Sequence, residues 1–136
     1  MKSVFLDASY LLAVEVANDK NHRPANEHWD RVDAAGLPEL VTTTYVFSEV
    51  VTYPNSRGLH AKAVEVGEDL LLSPNVRLVH VDDELFEKAW QFLVQHRDKQ
   101  YSLADCASFV LMRELDIQTA FSFDHHFQQA GFNVEP

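Results

Sequence analysis

Four acidic residues stand where apolar sequence meets a turn. Asp7 closes Val4-Phe5-Leu6, Glu49 lies among Val46, Phe47, Val50 and Val51, Asp105 precedes Cys106-Ala107, and Asp124 follows Phe121-Ser122-Phe123. A carboxylate beside a core has to be paired or neutralised, because an uncompensated charge is costly to remove from water. If folding gathers these four, their mutual repulsion calls for a cation among them, and oxygen-only carboxylate ligation is the chemistry of Mg²⁺ and Mn²⁺. Each acid also has a plainer role taken singly. Asp7 and Asp124 can cap helices, Asp105 can close a capping box with Ser102, and Glu49 can hydrogen-bond a tyrosine one turn away. Convergence separates the two readings.

The elements that would have to position these acids follow from periodicity. Short apolar runs predict strands at residues 3–7, 40–43, 76–81, 119–123 and 132–134. Between them, helical spacing predicts a short helix capped by Ser9, and another over 25–35 closed by Gly36 and Pro38. A third starts at Thr43 or Thr44 and is broken at Pro54-Asn55, followed by a longer one over 57–72. Asp82 or Asp83 caps a helix containing Leu85, Phe86, Ala89, Trp90 and Phe92. Ser102 caps one over 103–115, and Asp124 opens a short one to Gln129. Strands alternating with helices predict an α/β fold: three layers, with a roughly five-stranded parallel sheet between helices. Ligand sites in such sheets form at the carboxyl ends of the strands, where Asp7 and Asp124 would lie.

A chain of 136 residues is expected to form a single domain, residues 1–136. One cysteine, Cys106, allows no internal disulfide and reads as a small packing residue. The opening residues lack a signal-peptide pattern and no apolar run could span a bilayer, so a cytoplasmic protein is expected. The formal net charge of −10 excludes broad binding to nucleic acid backbones and leaves room for selective contact at a small patch.

Three segments carry a resemblance to a known family. VFLDAS, YSLADCASFVLMREL and AFSFDHHFQQAGF, with a helical glutamate between the first two, resemble the motifs of the PIN-domain nucleases, in particular the VapC-like toxins of bacterial toxin–antitoxin pairs. The resemblance runs over essentially the whole chain. It implies a Mg²⁺- or Mn²⁺-dependent endoribonuclease whose acidic quartet is Asp7, Glu49, Asp105 and Asp124. It further implies an RNA substrate, a homodimer, and an antitoxin protein that covers the helices around residues 45–53 and 59–72. Ser122 stands where many members carry threonine, and His125-His126 stand where a basic residue is common.

On this reading Asp7 and Asp105 hold the metal most directly, while Glu49 and Asp124 bind its waters or a second ion. Ser9 and Ser122 orient the carboxylates. Lys99, Tyr101 and Arg23 are the expected contacts to RNA backbone and bases. Consecutive histidines point about 100° apart on a helix, so His125 and His126 are expected to be surface or packing residues. The competing readings are a PIN-fold nuclease that is not a toxin and a noncatalytic module that binds a partner protein. A phosphoacceptor domain fits poorly, since it needs paired acids after the first strand and a late lysine, and the last lysine here is Lys99.

Overall fold

The computed structural model describes residues 2–136. Its strands are β1 (Val4–Leu6), β2 (Leu40–Thr43), β3 (Val76–Val79), β4 (Thr119–Phe121) and β5 (Asn133–Glu135). All pair in parallel, in the order β3-β2-β1-β4-β5. Helices α1 (Ala8–Glu15) and α2 (His22–Ala35) join β1 to β2, and α3 (Thr44–Ser56) and α4 (His60–Leu72) join β2 to β3. α5 (Asp83–Gln95) and α6 (Leu103–Glu114) lead to β4, and α7 (His126–Gln129) leads to β5.

Side-chain alternation along the strands divides the core between the two faces of the sheet. Phe5, Val41 and Ala120 pack with Val46, Val50, Leu70, Phe92, Phe109 and Phe127. Their neighbours Val4, Leu6, Leu40 and Phe121 point the other way, against Tyr10, Ala13 and Ala25 of α1 and α2. Both faces are covered, as a parallel sheet requires. The chain builds outward from β1 to β3 on one side and then returns to lay β4 on the other. That reversal opens a crevice at the carboxyl ends of β1 and β4.

Local chemistry moves several boundaries from those expected. The first helix is capped by Asp7, not Ser9, because the Asp7 carboxylate accepts from the Ser9 backbone N–H. α2 starts at His22, so Pro24 sits in the first turn, where a missing N–H is harmless. α3 continues through Pro54, which lies in its last turn, and ends instead at Arg57 and Gly58. Gly58 adopts φ 75°, a left-handed conformation that glycine tolerates, and α4 therefore begins at His60. β3 and β4 stop two residues earlier than expected, and β5 is shifted by one residue. No helix is long and apolar enough to cross a membrane among the described residues.

Candidate active site

Each acid reaches the crevice by a different device. Asp7 leaves β1 as the cap of α1. Thr43 caps α3 by accepting from the Val46 N–H, which starts the helix at the sheet edge and brings Glu49 over the crevice. Asp105 closes the capping box of α6: its Oδ2 accepts from the Ser102 N–H at 3.1 Å while Ser102 Oγ accepts from the Asp105 N–H at 2.9 Å. The plain role and the chemical one coincide there. Asp124 stands in the turn between β4 and α7, where its Oδ1 accepts from the His126 N–H at 2.9 Å.

The four side chains line one cavity of about 450 Å³, together with Ser9, Leu12, Gln100, Ser102, Ser108 and His126 among others. Asp7 and Asp105 are buried, Asp124 is half-buried, and Glu49 is exposed at the rim. Asp7 is the most elaborately held. Its Oδ2 accepts from Ser9 Oγ at 2.5 Å and Ser122 Oγ at 2.8 Å. The Ser9 hydroxyl in turn accepts from the Phe123 N–H and the Ser122 hydroxyl from the Asp124 N–H, each at 2.9 Å. Two serines thus tie the ends of β1 and β4 together through one carboxylate oxygen. Among the described residues, protein donors reach a single oxygen of each aspartate, and Glu49 receives none.

Electrostatics sets this cavity apart from an ordinary surface. No Lys or Arg forms an ion pair with any of the four acids among the described residues; their only potentially cationic neighbours are His125 and His126. Burial pushes the Asp7 carboxyl up to about 6, with the charges of Asp105 and Asp124 adding to the rise and the two serines opposing it. Asp105 is raised mainly by burial and then by Asp124, against the lowering pull of Ser102 and His126. Glu49 is raised by desolvation first and by Asp105 and Asp124 second. Asp7, Asp105 and Glu49, pushed toward the neutral form first by burial and then by the acids around them, are poised for a cation.

The family profile of the PIN domain matches residues 4–133. The chain belongs to the PIN-domain family. Within that family it is similar to the 23S rRNA-specific endonuclease VapC20 of Mycobacterium tuberculosis, in strains CDC 1551 / Oshkosh and H37Rv, with 38% identity over 129 residues and 95% of each chain covered. The crystal structure of the M. tuberculosis VapC20 toxin, described as cleaving the sarcin-ricin loop, superimposes with a TM-score of 0.83 at 37% identity, again over 95% of both chains. Nucleases of the PIN family work with a divalent ion. The donor set of this PIN domain suits one, being four carboxylates without a lysine or arginine counter-charge.

The other residues singled out in the sequence divide. Ser9 and Ser122 contact Asp7 directly. Tyr101 is only 9% exposed, its ring packed against Phe92, Phe109 and His126, so it offers no face on which a base could stack. Arg23 pairs with Glu27 at 3.1 Å, Lys99 lies 3.7 Å from Asp98, and neither lines the cavity. Cys106 is fully buried, and burial pushes its thiol up to about 11, as befits a packing residue.

His126 is the residue that sequence reasoning undervalued. Its Nδ1 lies 3.3 Å from Asp105 Oδ2 and 3.2 Å from Asp124 Oδ1. His125 and His126 diverge along the chain as expected, yet Asp124, His125 and His126 present ligand atoms within 4.8 Å of one another. A histidine two residues after an acid at a helix start was the available signal. A second groove, of about 550 Å³, opens from the same place and shares Glu49 and Ala104 with the acidic cavity. It is lined by Tyr45, Ser48, Thr52, Tyr53 and Ser56. At its end the Arg57 guanidinium sits 3.7 Å over the Tyr53 ring.

Proposed function

We propose that this PIN-domain protein is the toxin of a toxin–antitoxin pair, a divalent-metal-dependent endoribonuclease in which Asp7, Glu49, Asp105 and Asp124 hold Mg²⁺ or Mn²⁺. The observation that carries this reading is the meeting of four carboxylates from four distant stretches of chain in one cavity without a lysine or arginine counter-charge. A bound divalent ion supplies charge neutralisation at the scissile phosphate and acidifies water. The protein's own part is positional. Ser9 and Ser122 fix the Asp7 carboxylate, the capping box fixes Asp105, and the turn before α7 fixes Asp124. Glu49, without a hydrogen-bond partner among the described residues and exposed at the rim, can orient the attacking water and accept its proton.

The RNA strand enters along the groove of α3. Hydroxyls of Ser48, Thr52 and Ser56 and the ring of Tyr53 suit sugars and bases better than bare phosphates, in keeping with the acidic balance of the chain. Because the similar VapC20 toxin is named for 23S rRNA and its sarcin-ricin loop, the same ribosomal stem-loop is the first substrate to try. Incubation with ribosomes and with the isolated stem-loop, followed by mapping of the new 5′ ends, should give one cut within that loop. Intact stem-loop alongside cleavage elsewhere would assign another RNA target.

An antitoxin and a second copy of the chain are the expected partners. Leu59, Val64, Leu71 and Leu72 of the α4 region are exposed, Leu72 by 78%, more apolar surface than one small face should leave bare. A basic antitoxin tail would complement the acidic cavity. Co-expression with the product of a neighbouring gene, then copurification and mass measurement, tests both assemblies.

A further inference from the structure

We propose that His126 Nδ1 is a nitrogen ligand of the ion in the acidic cavity and biases the site toward Mn²⁺ over Mg²⁺. This rests on the reading above that the carboxylates hold a divalent ion. Nothing in the acidic quartet itself requires it.

The imidazole is held in place from two sides. Its backbone N–H is donated to Asp124 Oδ1 at 2.9 Å, and its ring meets Tyr101 edge-on with centroids 5.4 Å apart. Nδ1 is shielded from solvent, lies within ion-pair distance of one oxygen of Asp105 and one of Asp124, and is hydrogen-bonded to neither. A buried ring nitrogen left in that state points to a missing partner. Two donors roughly 2.1 Å from one ion and at right angles to each other lie about 3 Å apart, so Nδ1 is placed to share an ion with either oxygen taken singly, while the group whose ligand atoms all lie within 4.8 Å of one another is Asp124, His125 and His126. Here the distances from Nδ1 are 3.2 and 3.3 Å. Each of the two oxygens receives one backbone N–H and keeps a lone pair for an ion.

Selectivity follows from the donor type. Mg²⁺ prefers oxygen and gives up its waters reluctantly, whereas Mn²⁺ accepts imidazole more readily. His125 belongs to the same ligand-distance group but is more exposed, with Nδ1 3.9 Å from Asp124 Oδ1, so its replacement shows which of the two histidines supplies the nitrogen.

The test is pulsed electron paramagnetic resonance on the full chain loaded with Mn²⁺, read for ¹⁴N modulation from a coordinated imidazole, beside calorimetric titrations with Mn²⁺ and Mg²⁺. Wild type should show the modulation, and H125A should keep it. H126A and H126Q should lose it while still binding Mn²⁺ about tenfold more weakly, with Mg²⁺ affinity changed less. Bound Mn²⁺ without nitrogen modulation in wild type, or modulation surviving in H126A, overturns the proposal and leaves the carboxylate site standing; His126 would then be a counter-charge only. Failure of wild type to bind Mn²⁺ at all overturns both.

Discussion

The Ser122 hydroxyl donates to Asp7 Oδ2 at 2.8 Å and joins two residues 115 positions apart in the chain. Ser122 Oγ in turn accepts from the Asp124 N–H, so one side chain sets both the acid that ends β1 and the acid that follows β4. Ser122→Ala should lower RNA cleavage about 10–100-fold through misplaced carboxylates while costing only about 1–2 kcal/mol of stability. Ser122→Thr, which keeps the hydroxyl, should retain most activity. Single-turnover rates and thermal melts distinguish lost orientation from lost fold.

Asp7 carries a stability signature that depends on pH. Its carboxyl moves from an ordinary 3.8 to about 6 on folding, so the folded protein holds the proton more tightly than the unfolded chain. The destabilisation is absent below pH 3.8, grows as pH rises through that interval, and is complete above about 6. Metal-free Asp7→Asn should therefore be more stable than wild type at pH 8, by up to about 3 kcal/mol, and indistinguishable near pH 3.5. Denaturant titrations with chelator present measure the difference, and an equal stability at both pH values would contradict the burial argument.

Glu49 differs from the aspartates in having no hydrogen-bond partner among the described residues and standing exposed at the rim. Its replacement should separate chemistry from folding. Glu49→Gln is expected to keep or slightly raise the metal-free melting temperature, because it relieves desolvation and the repulsion of Asp105 and Asp124, yet to lower cleavage at least a hundredfold. Comparable losses of stability and activity would instead mark Glu49 as structural.

Along the α3 groove, Tyr53→Ala should raise KM for RNA about tenfold, the scale of one lost base-stacking contact, and Arg57→Ala should weaken binding less. Arg23→Ala should change neither KM nor kcat, since Arg23 pairs with Glu27 and lies outside both the cavity and the groove. Fluorescence anisotropy with a labelled stem-loop reports binding separately from turnover.

Much of this arrangement was legible in the sequence because each acid sits at a boundary that local pattern announces. The valine-rich strands, the Ser102 capping box and the Thr43 cap are written in short range, and they fix where Asp7, Asp105 and Glu49 emerge. Pro54 misled because a proline in the last turn of a helix removes little, and the chain actually turns at Gly58. Tyr101 misled in the opposite sense: its burial depends on Phe92 and Phe109, partners that only tertiary packing supplies. The approach of His126 to Asp124 is local and readable from their spacing, but its approach to Asp105 brings in another helix, a proximity that no local spacing encodes.

The most direct test is cleavage of one defined stem-loop RNA by wild type, Asp7→Asn and Asp105→Asn, each with Mg²⁺, with Mn²⁺ and with chelator, circular dichroism confirming that all three proteins are folded. The expected result is cleavage by wild type only when an ion is present and none by either variant. Cleavage by wild type in chelator, or undiminished cleavage by a folded Asp7→Asn protein, would contradict the claim that these carboxylates hold the ion that does the work.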